Sequence, residues 1–109
     1  MMTNQDYIYY LDNLKNRIYK ILPLCEEGDP NVSQYISSVL FETKGLFDII
    51  PSSKTSIWHI RAVSVLSNMA NNYSTSQLHN PLIYKKVIRR EILNLLSVID
   101  REISNYELS

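Results

Sequence analysis

The chain has 109 residues, of which 45% are hydrophobic, and its 11 Lys and Arg residues balance 11 Asp and Glu residues. A chain of this length can bury about 65% of its unfolded surface in one core. Its single cysteine excludes an internal disulfide, and its two glycines exclude the glycine-rich loops that bind phosphate groups. The zero net charge removes the overall positive field that most nucleic-acid-binding proteins carry.

The amino terminus lacks a basic segment followed by an apolar stretch, and no window approaches 18 uninterrupted apolar residues. We therefore expect a cytoplasmic protein that makes no contact with a membrane. No repeat or low-complexity segment divides the chain, which predicts a single domain over residues 1–109.

The first predicted helix covers about residues 4–24, because apolar side chains recur there at alternating steps of four and three residues. This heptad spacing is typical of a helix that presents a narrow seam to partner helices. Pro23 lies inside the pattern and lacks a backbone N–H, so we expect the helix to kink or end about there. The stripe consists of Tyr7, Leu11, Leu14, Ile18, Ile21 and Cys25.

The second predicted helix covers about residues 30–49, with Asp29 as a preferred N-cap and Pro30 as a preferred first residue. Gly45 lowers the stability of this helix by about 1 kcal/mol relative to alanine, and we expect it to mark a close crossing with another helix. Pro51 ends the helix. The apolar stripe consists of Val32, Ile36, Val39, Thr43, Leu46 and Ile50.

The third predicted helix covers about residues 53–71. Ile60 and Val63 widen its apolar face, which predicts the most buried helix of the four. Residues 71–80 are polar and rich in Asn, Ser and Thr, so we expect an irregular link there. The apolar stripe consists of Ile57, Trp58, Ala62, Val65, Leu66 and Met69.

The fourth predicted helix covers about residues 81–106, with Asn80 as its N-cap and Pro81 as its first residue. A helix of this length spans a bundle from end to end. The apolar stripe consists of Ile88, Ile92, Leu95, Ile99, Ile103 and Tyr106.

These four segments predict an all-α fold, an antiparallel up-down four-helix bundle. The short connections at residues 26–29 and 50–53 require the helices they join to be antiparallel neighbours. The link at residues 71–80 is long enough for the fourth helix to join either neighbour.

The strongest charged feature is a basic cluster near the start of the fourth helix, where like charges lie four residues apart. Each such pair destabilises an isolated helix by about 0.2–0.5 kcal/mol, and positive charge near a helix N-terminus opposes the helix dipole. We therefore expect a compensating group nearby. The basic cluster consists of Lys85, Lys86, Arg89 and Arg90, which are also the candidate residues for binding a partner or a phosphate group.

An up-down bundle places its first interhelix loop at the same end as the basic cluster. This acidic loop carries Glu26, Glu27 and Asp29. The basic cluster then meets acids of its own chain or of a second copy, while a nucleic-acid backbone and an unidentified acidic partner are the alternatives. Exposed ion pairs would add only about 0–1 kcal/mol each, so they would set orientation and register more than stability.

Residues able to carry chemistry are few, and we predict no catalytic residue, no metal and no cofactor. Neither His59 nor His79 has an acidic residue three or four positions away, the spacing of metal sites in bundles. We expect His59 to be a half-buried ring and His79 a loop residue. Cys25 precedes two glutamates, which disfavour a thiolate. An enzyme would need His59, Cys25 and a carboxylate around one cleft.

Eight tyrosines are many for a chain of this length. Most lie at or beside the apolar stripes, where a ring is buried and its hydroxyl stays in water. Tyr9, Tyr19 and Tyr106 are expected near helix surfaces, and exposed tyrosine is typical of protein interfaces. They are candidate interface residues for self-association or for another protein.

Three runs, at residues 21–28, 35–46 and 88–92, resemble small uncharacterised all-helical proteins of low-GC Gram-positive bacteria and their prophages. The resemblance implies a bacterial cytoplasm and an origin on a mobile element, and it carries no activity or functional residue with it. By size and bundle architecture alone the chain is also similar to bacteriocin immunity proteins, although those are commonly basic.

We therefore expect a non-enzymatic interaction or regulatory protein that forms a homodimer or binds another protein. Heptad seams, surplus tyrosines and the lack of a catalytic constellation in the sequence motivate this hypothesis. The alternatives are a nucleic-acid-associated protein that uses the basic cluster and a bundle of the bacteriocin-immunity kind.

Overall fold

A computed structural model describes residues 3–27, 31–45, 57–79 and 81–107, with side chains described at 3–27, 31–45, 58–71 and 85–107. The predicted fold class, an antiparallel up-down four-helix bundle, is confirmed, and the described residues contain no strand. Helices α1 and α2 follow one another and together form the first helix of the bundle. The five helical segments are α1 (Asn4–Tyr19), α2 (Ile21–Glu27), α3 (Val32–Gly45), α4 (Ile57–His79) and α5 (Pro81–Glu107).

The four sides of the bundle are formed by α1 against α3, α3 against α4, α4 against α5, and α5 against α1. Consequently α3 and α5 lie at opposite corners, as do α1 and α4. The molecule measures 45 × 23 × 19 Å, and α5, with 27 residues, is about 40 Å long at 1.5 Å per residue. The longest helix therefore spans nearly the whole bundle.

The core is built from the four apolar stripes. Every stripe residue whose side chain the structure describes is buried, except Val65 and Tyr106, which are partly buried. Burial of each large side chain contributes about 1.5–3 kcal/mol. Outside the described residues lie Leu46 and Ile50 of the second stripe, the start signal Asp29 and Pro30, the stop signal Pro51, and the side chain of Ile57.

The first helix breaks earlier than expected. The interruption lies at Lys20, and the chain then continues through Pro23 as α2. Pro23 has no N–H to donate to the carbonyl of Tyr19, four residues earlier, and its ring crowds that carbonyl. The proline therefore disturbs the turn before it. At this break the Tyr35 hydroxyl of α3 donates a 2.7 Å hydrogen bond to the carbonyl of Arg17.

The start of α1 carries a signal that the sequence analysis missed. Thr3 Oγ1 accepts a 3.1 Å hydrogen bond from the Asp6 N–H, and Asp6 Oδ2 accepts a 3.3 Å bond from the Thr3 N–H. This is a capping box, with Asp in the place usually held by Glu or Gln. The spacing Thr-x-x-Asp could have identified it.

The expected irregular link at residues 71–80 is wrong, because α4 continues as a helix to His79. Each Asn, Ser or Thr in a helix costs only about 0.7 kcal/mol relative to alanine, and neither glycine nor proline interrupts residues 71–79. The described helix ends at His79, two residues before Pro81. His79 is therefore the last helical residue of α4 and not a loop residue.

Two further expectations about burial are wrong. Gly45 is exposed at the end of α3, and a Cβ added there would meet nothing within 4 Å, so it marks no close helix crossing. Ile60 is 58% exposed, so the widened apolar face of α4 is only partly covered. The stripe of α4 is narrower than its composition indicated, because Ile60 lies about 200° around the helix from Ala62.

Candidate functional site

The basic cluster and the acidic loop meet at one end of the bundle, where α2 ends and α5 begins. Arg89 Nη1 lies 3.5 Å from Glu26 Oε1, and Lys85 Nζ donates a 3.5 Å hydrogen bond to the Glu26 carbonyl. Both contacts lie within one chain and involve exposed side chains. The prediction that Glu26 and Glu27 belong to a loop is wrong, because both are helical as the last two residues of α2. Glu27 is exposed, and Asp29 lies outside the described residues.

Only half of the basic cluster turns towards Glu26. Lys86 and Arg90, named here the outer pair, are exposed on the side of α5 away from the core. Arg90 Nη2 lies 3.9 Å from Oε1 of its neighbour Glu91, and within the described residues no carboxylate lies within 4.0 Å of Lys86 Nζ. The positive charge of the outer pair is therefore directed to solvent.

A shallow, open depression adjoins the outer pair. Its apolar floor comes from Leu93, a large side chain that remains 45% exposed on the outer face of α5. Sequence analysis identified the charges of this region but not Leu93, which lies outside the α5 stripe. The lining residues are Lys86, Arg89, Arg90, Leu93 and Asn94.

Cys25 lies in the core at the same end of the bundle. Burial is the main reason that its thiol pKa rises to about 11, with Glu26 adding to the increase and Lys85 opposing it. The thiol is therefore protonated near neutral pH, which removes the nucleophilic form. This agrees with the expectation that Cys25 is not a reactive thiolate.

The opposite end of the bundle holds a buried aromatic group. Trp58 Nε1 donates a 2.8 Å hydrogen bond to the Tyr7 hydroxyl across the core. The Tyr7 ring meets the Tyr106 ring edge-to-face, with centroids 4.7 Å apart and planes at 75°. Tyr106 is thus partly buried against the core and differs in its position from Tyr9 and Tyr19, which are exposed.

His59 belongs to this same end and is fully buried, not half-buried as expected. Its Nε2 lies 2.8 Å from the carbonyl of Thr43, and because a carbonyl only accepts, Nε2 carries the proton. Thr43 is also buried and its hydroxyl donates to the Val39 carbonyl at 2.7 Å. Since Cys25 lies at the other end of the bundle, His59 and Cys25 do not form a catalytic pair.

Exposed apolar side chains are a further feature of the surface. Tyr9 is 69% exposed on α1, and Tyr19 is exposed at the end of the same helix. The largest exposures on α3 and α4 were not anticipated from the sequence: Phe41 is 80% exposed and Ile60 is 58% exposed. The exposure of Phe41 could have been predicted from its position. It lies two residues from both Val39 and Thr43, which are buried, and two residues correspond to about 200° around a helix.

The described residues lack two further kinds of functional feature. They contain no group of three or more His, Cys, Asp or Glu side chains that could hold a metal ion. No helix among them is long and apolar enough to cross a membrane.

No protein-family model, curated protein or solved structure matches the chain. Its function is consequently inferred from its own side chains and surfaces. Among the described residues, Phe41 and Ile60 are exposed apolar side chains, and the outer pair is exposed positive charge.

Proposed function

We propose that this chain is a non-enzymatic interaction or regulatory protein of the cytoplasm that acts as a homodimer. The observation that carries this proposal is the exposure of Phe41 and Ile60 on neighbouring helices. Large apolar side chains that remain exposed to solvent in the folded chain are typical of surfaces that bind protein when they lie together. The origin on a mobile element stays a prediction from the resemblance.

The two side chains lie at the same level of the bundle. The hydrogen bond between His59 Nε2 and the Thr43 carbonyl fixes the height at which α3 and α4 meet. Phe41 precedes Thr43 by two residues and Ile60 follows His59 directly, so both lie within one helical turn of that bond. The outer side of the α3 and α4 pair, which carries both exposed side chains at this level, is named here the α3/α4 edge.

The surroundings of this edge suit a second copy of the chain. Ser37 on α3 and Ser64 on α4 are exposed, small and uncharged, which allows two backbones to approach closely. A two-fold dimer contains two copies of Phe41, one from each chain, so a substitution at this position changes the interface twice.

Sedimentation or size-exclusion chromatography with light scattering at several concentrations tests this proposal. Burial of a phenylalanine is worth about 1.5–3 kcal/mol, and two copies per dimer make Phe41→Ser raise the dissociation constant by at least a hundredfold. Tyr9→Ser on α1 is the matched control and should leave the dimer unchanged. A strict monomer at high concentration, or a dimer insensitive to Phe41→Ser, contradicts the proposal.

A second candidate function is association with nucleic acid. The observation that favours it is the solvent-directed charge of Lys86 and Arg90. Titration of the chain with duplex and single-stranded oligonucleotides at low salt tests it, since phosphate contacts produce binding that falls steeply with salt concentration. Absence of such binding eliminates this candidate.

A further inference from the structure

We propose that the outer face of α5 binds an acidic amphipathic helix of another protein, with Lys86 and Arg90 contacting its acids and Leu93 its apolar stripe. This inference goes beyond self-association. It uses a different surface, because α5 and α3 lie at opposite corners of the bundle. The failure of one proposal therefore leaves the other testable.

The charge of this face supports an acidic partner. Lys86 and Arg90 lie one helical turn apart and repel each other, yet Glu26 draws only Lys85 and Arg89 towards the core side. Among the described residues, Arg90 has a carboxylate within 4.0 Å only at its neighbour Glu91, at 3.9 Å, and Lys86 has none. A carboxylate from outside the chain would relieve this repulsion.

The shape and polarity of the face support a helix. Leu93 follows Arg90 by three residues and Asn94 follows it by four, so a leucine and a smaller polar side chain continue the row of the two charges. Such a row on one helix fits between the side-chain rows of a second helix lying across it. The exposed leucine supplies the apolar contact that holds an amphipathic helix in place.

A nucleic acid fits this face less well. Leu93 offers nothing to a phosphate backbone, and two of the four cluster residues, Lys85 and Arg89, already contact Glu26. A phosphate backbone would therefore meet Lys86 and Arg90 beside an exposed leucine.

A second copy of the chain also fits poorly. A two-fold contact through α5 would place the exposed residues Lys86, Arg90 and Arg101 of one copy against the same three residues of the other. Like charges facing each other across an interface oppose association. An acidic helix of a different protein satisfies both the charges and the leucine.

The experiment uses the full chain and a synthetic, fluorescein-labelled peptide of about three heptads with leucine on one face and glutamate on the flanks. A scrambled peptide of the same composition and an oligonucleotide of equal charge are compared by fluorescence anisotropy at the same salt concentration. We expect saturable binding of the amphipathic peptide, and we expect amide chemical-shift changes in an NMR titration to cluster over residues 86–97.

Two variants and a charge-matched control locate the binding surface. The double substitution Lys86→Gln with Arg90→Gln, and separately Leu93→Ser, should each weaken peptide binding at least about tenfold. The control Lys44→Gln with Arg61→Gln removes the same charge from exposed sites elsewhere and should change binding by less than about twofold. All five side chains are exposed, so each variant should keep the thermal stability of the parent chain.

Several results would overturn the inference. One is no saturable peptide binding up to about 1 mM, and another is equal binding of the scrambled peptide. Equal loss of affinity in the control, or tighter binding of the oligonucleotide that depends on Lys86 and Arg90, would do the same. The dimer measured with Phe41 intact should be unaffected by the Lys86 and Arg90 substitutions, which separates this test from the previous one.

Discussion

Replacement of Tyr7 by phenylalanine removes one oxygen atom from the buried aromatic group and leaves its rings in place. That oxygen accepts the 2.8 Å hydrogen bond from Trp58 Nε1. Trp58 is only 1% exposed, so water cannot reach its N–H in the folded chain. The Phe side chain still meets Tyr106 edge-to-face, because that contact involves the ring and not the hydroxyl.

The expected cost follows from leaving a buried donor without its acceptor. A buried N–H that loses its partner costs about 1–3 kcal/mol, whereas the net value of the bond itself is smaller. For a domain of this size the change corresponds to a melting temperature about 4–12 °C lower. The effect should be largely removed in a Trp58→Phe background, where no indole N–H remains to be satisfied.

The chain contains a single tryptophan, so fluorescence reports this site directly. Urea unfolding followed by Trp58 emission and by far-ultraviolet circular dichroism gives the free energy of unfolding of each variant that keeps Trp58, and circular dichroism alone gives it in the Trp58→Phe background. Tyr9→Phe is the matched control: the same oxygen is lost from a largely exposed side chain, and stability should change by less than about 0.5 kcal/mol. If Tyr7→Phe is as stable as the parent chain, the bond to Trp58 does not contribute as argued.

Three further substitutions test the features that surround the core. Tyr35→Phe removes the donor to the Arg17 carbonyl and should lower the free energy of unfolding by about 0.5–1.5 kcal/mol in a urea titration; an unchanged midpoint would show that water replaces the hydroxyl. Gly45→Ala should raise it by up to about 1 kcal/mol, since a Cβ has free space there; a decrease would contradict that geometry. Cys25 should resist thiol reagents at neutral pH until the chain unfolds. The pKa of its thiol is about 11 in the folded chain, above the usual 9.0, so the unfolded chain loses the thiol proton first as pH rises. The stability advantage of the parent chain over Cys25→Ala should therefore diminish between pH 9 and pH 11. A constant difference would contradict burial of the thiol.

Sequence periodicity predicted the fold class because the bundle buries whole stripes and little else. Leu11, Ile36 and Ile92 belong to the stripes of three different helices, and all three are fully buried. The extent of α4 could not be predicted in the same way. The small helix propensity costs of Asn, Ser and Thr are comparable with contributions from contacts to other helices, so local composition alone does not decide where the helix ends.

The candidate surfaces were only partly predictable for a geometric reason. Chain topology placed Glu26 at the same end as the basic cluster, but it could not decide which two bases would turn towards it. Successive helical residues differ by about 100° around the axis, so a rotation of α5 by that amount would exchange Arg89 for Arg90. The orientation of α5 is set by its contacts with α1, α2 and α4, which the sequence does not reveal residue by residue.

The diagonal arrangement of α3 and α5 has a consequence for assembly. The outer face of α5 points away from the corner that α3 occupies, and α4 lies between these two corners. A pair of chains joined along their α3/α4 edges would therefore expose two α5 faces on its far sides. Such a pair would have two binding sites for acidic helices. When one segment of a ligand with two acidic helices binds at the first site, the effective concentration of its other segment at the second site rises.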